Sequence, residues 1–155
     1  MTLPEDLKQL LLALNAHGAE YLVVGGWAAG FYSEPRSTKD IDILIRSNRS
    51  NSEAVFKALA EFGAPLAGLT PADFRDHPRS IFQIGHEPVR ADILQSIDGV
   101  EFEEAWRDRT EVVLGGVAVH LISSEHLIRN KLESGRLSDL ADVEAIREAD
   151  KSQNR

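Results

Sequence analysis

Two aspartates set two residues apart inside an apolar run constrain this chain more than any other feature. The run is Asp40-Ile41-Asp42-Ile43-Leu44-Ile45, rich enough in β-branched residues to read as a short strand. Side chains alternate along a strand, so Asp40 and Asp42 leave one face while Ile41, Ile43 and Ile45 take the other, toward a core. Aspartate is depleted in strands, which makes a same-face pair a costly choice for structure alone. Each carboxylate raises the proton affinity of the other unless a cation sits between them. Hard divalent cations such as Mg²⁺ take oxygen ligands and favour carboxylates, so the economical reading is a metal site at Asp40 and Asp42.

A second apolar run, Tyr21–Val24, precedes the pair and ends in Gly25-Gly26. Glycines after a strand let the backbone approach a ligand closely, and a helix N-terminus behind them points amides at an anion. A phosphate held there, beside a metal held by Asp40 and Asp42, is the arrangement that nucleotidyl or phosphoryl transfer requires.

The 155-residue length suits a single domain with a real core, expected over residues 1–149, with a polar frayed tail at 150–155. The absence of cysteine excludes disulfides, thiolate zinc sites and a cysteine nucleophile, and it is compatible with a reducing compartment. The apolar run Leu10–Leu14 is too short and too acidic in its flanks for a signal peptide or membrane span, so a cytoplasmic protein is expected, with no membrane partner. A net charge of -8 argues against a general nucleic-acid binder, because such proteins draw their affinity from counterion release at basic surfaces.

Thr2-Leu3-Pro4-Glu5 reads as a capping box opening a helix whose stripe is Leu3, Leu7, Leu10, Leu11 and Leu14. Trp27–Phe31 continues as a short helix behind the glycines. Further helices are expected at Ser52–Phe62, Gly99–Arg107, Glu125–Lys131 and Leu137–Ala149, with a helical turn at Thr70-Pro71. Strands are expected at Ser80–Gly85, Val89–Leu94, Glu111–Leu114 and Val117–Ile122, the last two joined by a Gly115-Gly116 hairpin turn. This order implies an α+β (two-layer α/β) fold: a mixed, mostly antiparallel twisted sheet with helices mainly on one face.

Val24, Gly25, Gly26, Asp40, Ile41 and Asp42, with this gap between them, resemble the signature of the nucleotidyltransferase superfamily typified by DNA polymerase beta. The resemblance implies that Asp40 and Asp42 bind Mg²⁺ or Mn²⁺ bridging a nucleoside triphosphate, with Gly25 and Gly26 against its phosphates. It also directs the search for a third carboxylate, which Asp92 in Val89-Arg90-Ala91-Asp92-Ile93-Leu94 supplies as general base and further metal ligand. Asp98 competes for that role from a turn, and an ion pair with Arg90 is the alternative use of Asp92.

Arg36-Ser37-Thr38-Lys39-Asp40 is similar to the Arg-x-Thr-x-Asp of a branch that includes abortive-infection-type toxins and small uncharacterised nucleotidyltransferases. There Arg36 would meet triphosphate oxygens and Thr38 would fix the loop. Lys131, Gly135, Arg136, Asp139 and Asp142 match the same branch, with Ser138 standing where the pattern favours lysine. By that likeness Lys131 reaches the phosphates, while Arg136, Asp139 and Asp142 close an ion-pair network; the two aspartates also suit a helix N-terminus. Gly25-Gly26-Trp27 is similar to small lincosamide nucleotidyltransferases as well, on fewer residues. The implied activity moves a nucleoside monophosphate from an NTP to an acceptor hydroxyl. The alternative is a non-catalytic nucleotide-binding module or a toxin–antitoxin regulator with a partner protein. The charge balance favours a protein side chain or a small molecule over RNA as acceptor.

Overall fold

The computed structural model describes residues 3–34, 40–86 and 89–153, with only the backbone of His86. Arg36 and Thr38 therefore lie outside the described residues. Helix α1 (Glu5–Ala16) buries Leu7, Leu10, Leu11, Ala13 and Leu14, the stripe its spacing requires. Pro4 stands at its N-cap, where the sequence pattern places Thr2, and no side chain caps the helix.

Strand β1 (Tyr21–Val24) runs straight into α2 (Gly25–Tyr32), and β2 (Asp40–Ile45) returns antiparallel to β1. Helix α3 (Arg49–Phe62) starts three residues before the expected Ser52, because the Asn48 side chain accepts the Asn51 amide and sets the N-cap there. Buried Asn51 accepts the Glu20 amide at 2.7 Å and donates to the carbonyls of Arg46 and Glu20, latching α3 to the ends of β1 and β2. A single 3-10 turn at Pro71–Phe74 is closed by a capping box between Thr70 and Asp73.

Strands β3 (Ile81–His86) and β4 (Val89–Leu94) pair antiparallel. After α4 (Phe102–Arg107), β5 (Thr110–Leu114) and β6 (Val117–Leu121) form the hairpin whose turn is Gly115-Gly116, both glycines at positive φ. Helices α5 (Ser124–Ser134) and α6 (Leu137–Gln153) close the chain. The last helix continues four residues past the expected end at Ala149, so residues 150–153 form its final, mostly exposed turn.

The six strands form one sheet in the order β3-β4-β2-β1-β6-β5. Three of its pairings are antiparallel, while β1–β6 and β2–β4 are parallel, which is the expected mixed α+β arrangement. Ile41, Ile43 and Ile45 join one core with Leu7, Leu10, Leu11 and Leu14 of α1 and Val55 and Leu59 of α3. Helix α2 packs on α5 and α6, which carries the C-terminal motif toward the start of α2. Among the described residues no helix is long and apolar enough to cross a membrane.

Candidate active site

The register sets three site pieces in one row. Val24 pairs with Asp42, and Asp42 pairs with Asp92 on the parallel strand β4. Partnered residues on adjacent strands project on the same face about 5 Å apart. Asp92 therefore stands beside Asp42, and Gly25 follows directly from Val24.

Gly25 has φ +67°, the left-handed region in which an L side chain is strained, and a Cβ built there would lie 2.1 Å from Asp42 Oδ2. The Asp42 carboxylate fills the space that a side chain at position 25 would take. Gly25→Ala is therefore expected to displace that carboxylate and to cost about 2 kcal/mol of stability by urea denaturation. Nucleotide affinity, followed by calorimetry, should fall with it.

Burial is the largest influence on Asp42 and raises its pKa to about 6 from 3.8, with Asp92 and Asp40 adding in that order and Lys131 and Arg136 opposing. Three carboxylates thus share one field. Arg90 answers part of it, donating from Nη2 to Asp40 Oδ2 at 2.8 Å, with Nε 3.7 Å from Asp92 Oδ1. The ion pair weighed for Asp92 in the sequence is present, and its closer partner is Asp40.

A cleft of about 450 Å³ opens beside Asp42, walled by Gly25, Lys131, Arg136 and Asp139. Asp139 and Asp142 are buried, as is Lys131, whose Nζ donates to Asp142 at 2.8 Å and to Asp139 at 3.4 Å. Arg136, which is 76% exposed, holds the other side of Asp139 through Nε at 2.8 Å. Lys131 is the hub of this network, so its charge is shared with two aspartates before any phosphate arrives. Gly26 is half-buried in the first turn of α2, outside the cleft wall, and Asp142 lies behind Lys131.

Part of the wall escaped the sequence reading. Ile81 and Leu94, directly paired across β3 and β4, line the cleft with Asn130 and Ser134. Asn130 Nδ2 donates to the Asp98 carbonyl at 2.9 Å and Ser134 Oγ to its carboxylate at 3.2 Å, stitching the turn after β4 onto α5. The only local signal was the i, i+4 spacing of Asn130 and Ser134 beside Lys131. Asp98 itself sits in that turn.

Three hard carboxylates, the donor class that divalent cations favour, share one face, and two of them raise the proton affinity of the third. Among the described residues, however, no three acidic or imidazole groups close on a single point.

The site thus lies on a mixed sheet that carries a glycine turn and two aspartate-bearing strands side by side. The lincosamide antibiotic adenylyltransferase LnuA, with lincomycin bound, superposes with a TM-score of 0.57 at 18% identity, over 94% of this chain and 97% of that one. TM1012 of Thermotoga maritima, a candidate nucleotidyltransferase, gives a TM-score of 0.62 at 15% identity over 93% of both chains. The antibiotic-resistance factor ANT(2'')-Ia gives 0.59 at 18% identity, over 96% of this chain and 82% of that one. At such identities the likeness establishes the fold. No curated protein matches the chain significantly. The family model described as "Nucleotidyl transferase of unknown function (DUF2204)" matches residues 4–155, and the chain belongs to that family.

Proposed function

We propose that the protein transfers a nucleoside monophosphate from an NTP to a hydroxyl of a small molecule or a protein side chain, in a reaction dependent on Mg²⁺ or Mn²⁺. The observation that carries this reading is the Val24–Asp42–Asp92 row, with Gly25 packed against the Asp42 carboxylate. Asp42, with Asp40 and Asp92, would hold the cation, which when bound offsets the charge of the triphosphate. The Gly25 turn would let the backbone approach phosphate, and Arg136, exposed at the cleft, would pair with its oxygens. Asp92 takes the proton of the acceptor hydroxyl. The hydroxyl oxygen bonds the α-phosphorus, the bond from that phosphorus to the bridging oxygen breaks, and pyrophosphate leaves.

Two considerations support the acceptor class. The net charge of -8 opposes a polynucleotide track, and the buried Lys131 is engaged with Asp139 and Asp142. One structural neighbour is named as a lincosamide antibiotic adenylyltransferase and another as an antibiotic-resistance factor, and antibiotics are small molecules.

The test is transfer of label from α-labelled NTPs with Mg²⁺, to small-molecule, protein and tRNA acceptors in parallel. A discrete labelled small molecule or protein is the expected result. Labelled tRNA, bound with a steep salt slope, would overturn the acceptor assignment. Nucleotide binding without turnover across the screen would mean a regulatory module instead.

A further inference from the structure

The row Val24–Asp42–Asp92 continues to Gln83 on the edge strand β3, so the Gly25 turn stands on one side of the carboxylates and β3 on the other. Leu94 lies two residues beyond Asp92 on β4 and therefore on its face, and Ile81 is the direct partner of Leu94 on β3. Both line the cleft that opens beside Asp42, and Ile97 joins them there. Ile81 is 56% exposed, a large apolar side chain left open to solvent at a cleft that also carries Lys131, Arg136 and Asp139. The uncharged polar groups of the wall, Asn130 and Ser134, donate to the carbonyl and the carboxylate of Asp98.

We propose that Ile81, Leu94 and Ile97 form the acceptor shelf, and that the acceptor is a small molecule with an apolar carbon face beside its reacting hydroxyl. The inference rests on the nucleotidyltransferase reading above. In an in-line displacement the attacking and leaving oxygens lie on opposite sides of the phosphorus. With the triphosphate against the Gly25 turn, the hydroxyl comes from the β3 side. There Asp92 takes its proton, and Leu94 and Ile81 are the next side chains on that face. A carbon face laid on this shelf leaves water at a gain, whereas a polyol would lose water from its hydroxyls against three side chains that offer no hydrogen bond. Ile81 is thereby a specificity-determining residue.

The test follows the isoleucine and leucine methyl signals of the full chain by nuclear magnetic resonance. The chain is titrated with 2-naphthol as the apolar hydroxyl probe and with glucose as the polar one. The Ile81, Leu94 and Ile97 methyls are expected to shift with 2-naphthol and not with glucose. Ile81→Ser is expected to weaken 2-naphthol binding about tenfold. Val113→Ser, at an exposed apolar residue on the opposite edge strand β5, is expected to leave it unchanged. No loss in Ile81→Ser, an equal loss in Val113→Ser, or glucose bound at the shelf as tightly as 2-naphthol would each overturn the proposal. Should Ile81→Ser not fold, the wild-type methyl shifts decide. The 2-naphthol titration is repeated with saturating α,β-methylene-ATP and Mg²⁺. The probe is expected to stay on the shelf; its displacement would assign the shelf to the nucleobase and overturn the proposal. If α,β-methylene-ATP does not bind while Ile81→Ser loses 2-naphthol, the nucleotidyltransferase reading fails. If it binds while Ile81→Ser loses nothing, only the shelf is wrong.

Discussion

Asp42→Asn is expected to make the protein more stable to heat when divalent cations are chelated, and at the same time to abolish metal-dependent NTP binding. Burial and the neighbouring Asp92 and Asp40 raise the Asp42 pKa to about 6, against 3.8 for an ordinary aspartate. A carboxyl whose folded pKa is raised binds its proton more tightly folded than unfolded. Its contribution to stability is therefore most favourable below pH 3.8, declines as pH rises to about 6, and stays at its low level above that. At neutral pH the charged form costs the fold on the order of 2 kcal/mol, which a neutral asparagine of the same shape avoids. Scanning calorimetry in chelator should show a rise in midpoint on the order of 5 °C at pH 7.5, shrinking as pH is lowered toward 5. Isothermal titration with NTP and Mg²⁺ should show the opposite ranking, with measurable binding only in the wild type. A variant neither stabilised nor impaired in nucleotide binding would remove Asp42 from the site. Stability given up to keep a charge in place is what a functional position shows.

Lys131→Met is expected to be far more damaging to the fold than the loss of Arg136, although both residues belong to one motif. Lys131 Nζ serves Asp139 and Asp142 together, and all three residues are buried. Removing the ammonium takes a cation from two buried carboxylates without restoring water to them. Breaking a buried pair from one side costs about 3–5 kcal/mol. Arg136 keeps hold of Asp139, which places the expected loss near about 3 kcal/mol by urea denaturation. Arg136→Ala removes a side chain that is 76% exposed, so its effect on stability should stay under about 1 kcal/mol. Its effect should appear instead as a raised KM for NTP. Equal destabilisation by the two substitutions would mean that Lys131 is not the hub of the network.

The sequence by itself determined the centre of this protein. An Asp-x-Asp in an apolar strand can only put both carboxylates on one face and Ile41, Ile43 and Ile45 on the other, because the period of a strand is two. A Gly-Gly between a strand and a small apolar helix likewise reads locally, and Gly25 adopts the positive φ that excludes other residues. The hairpin at Gly115-Gly116 was legible for the same reason. Helix ends were less so, since Asn48 and the continuation of α6 depend on individual side chains and on packing rather than on periodicity. What only the tertiary structure decided is which distant residues meet. Asp92 stands beside Asp42, 50 residues away, through a parallel pairing whose partner no local pattern specifies. Arg90 reaches Asp40 through the same register. Lys131 is the buried hub of an ion-pair network because α5 and α6 pack together and exclude water from it. Local alternation and turn chemistry are properties of a few consecutive residues, whereas burial and cross-strand charge are set by the partners that the whole chain brings together.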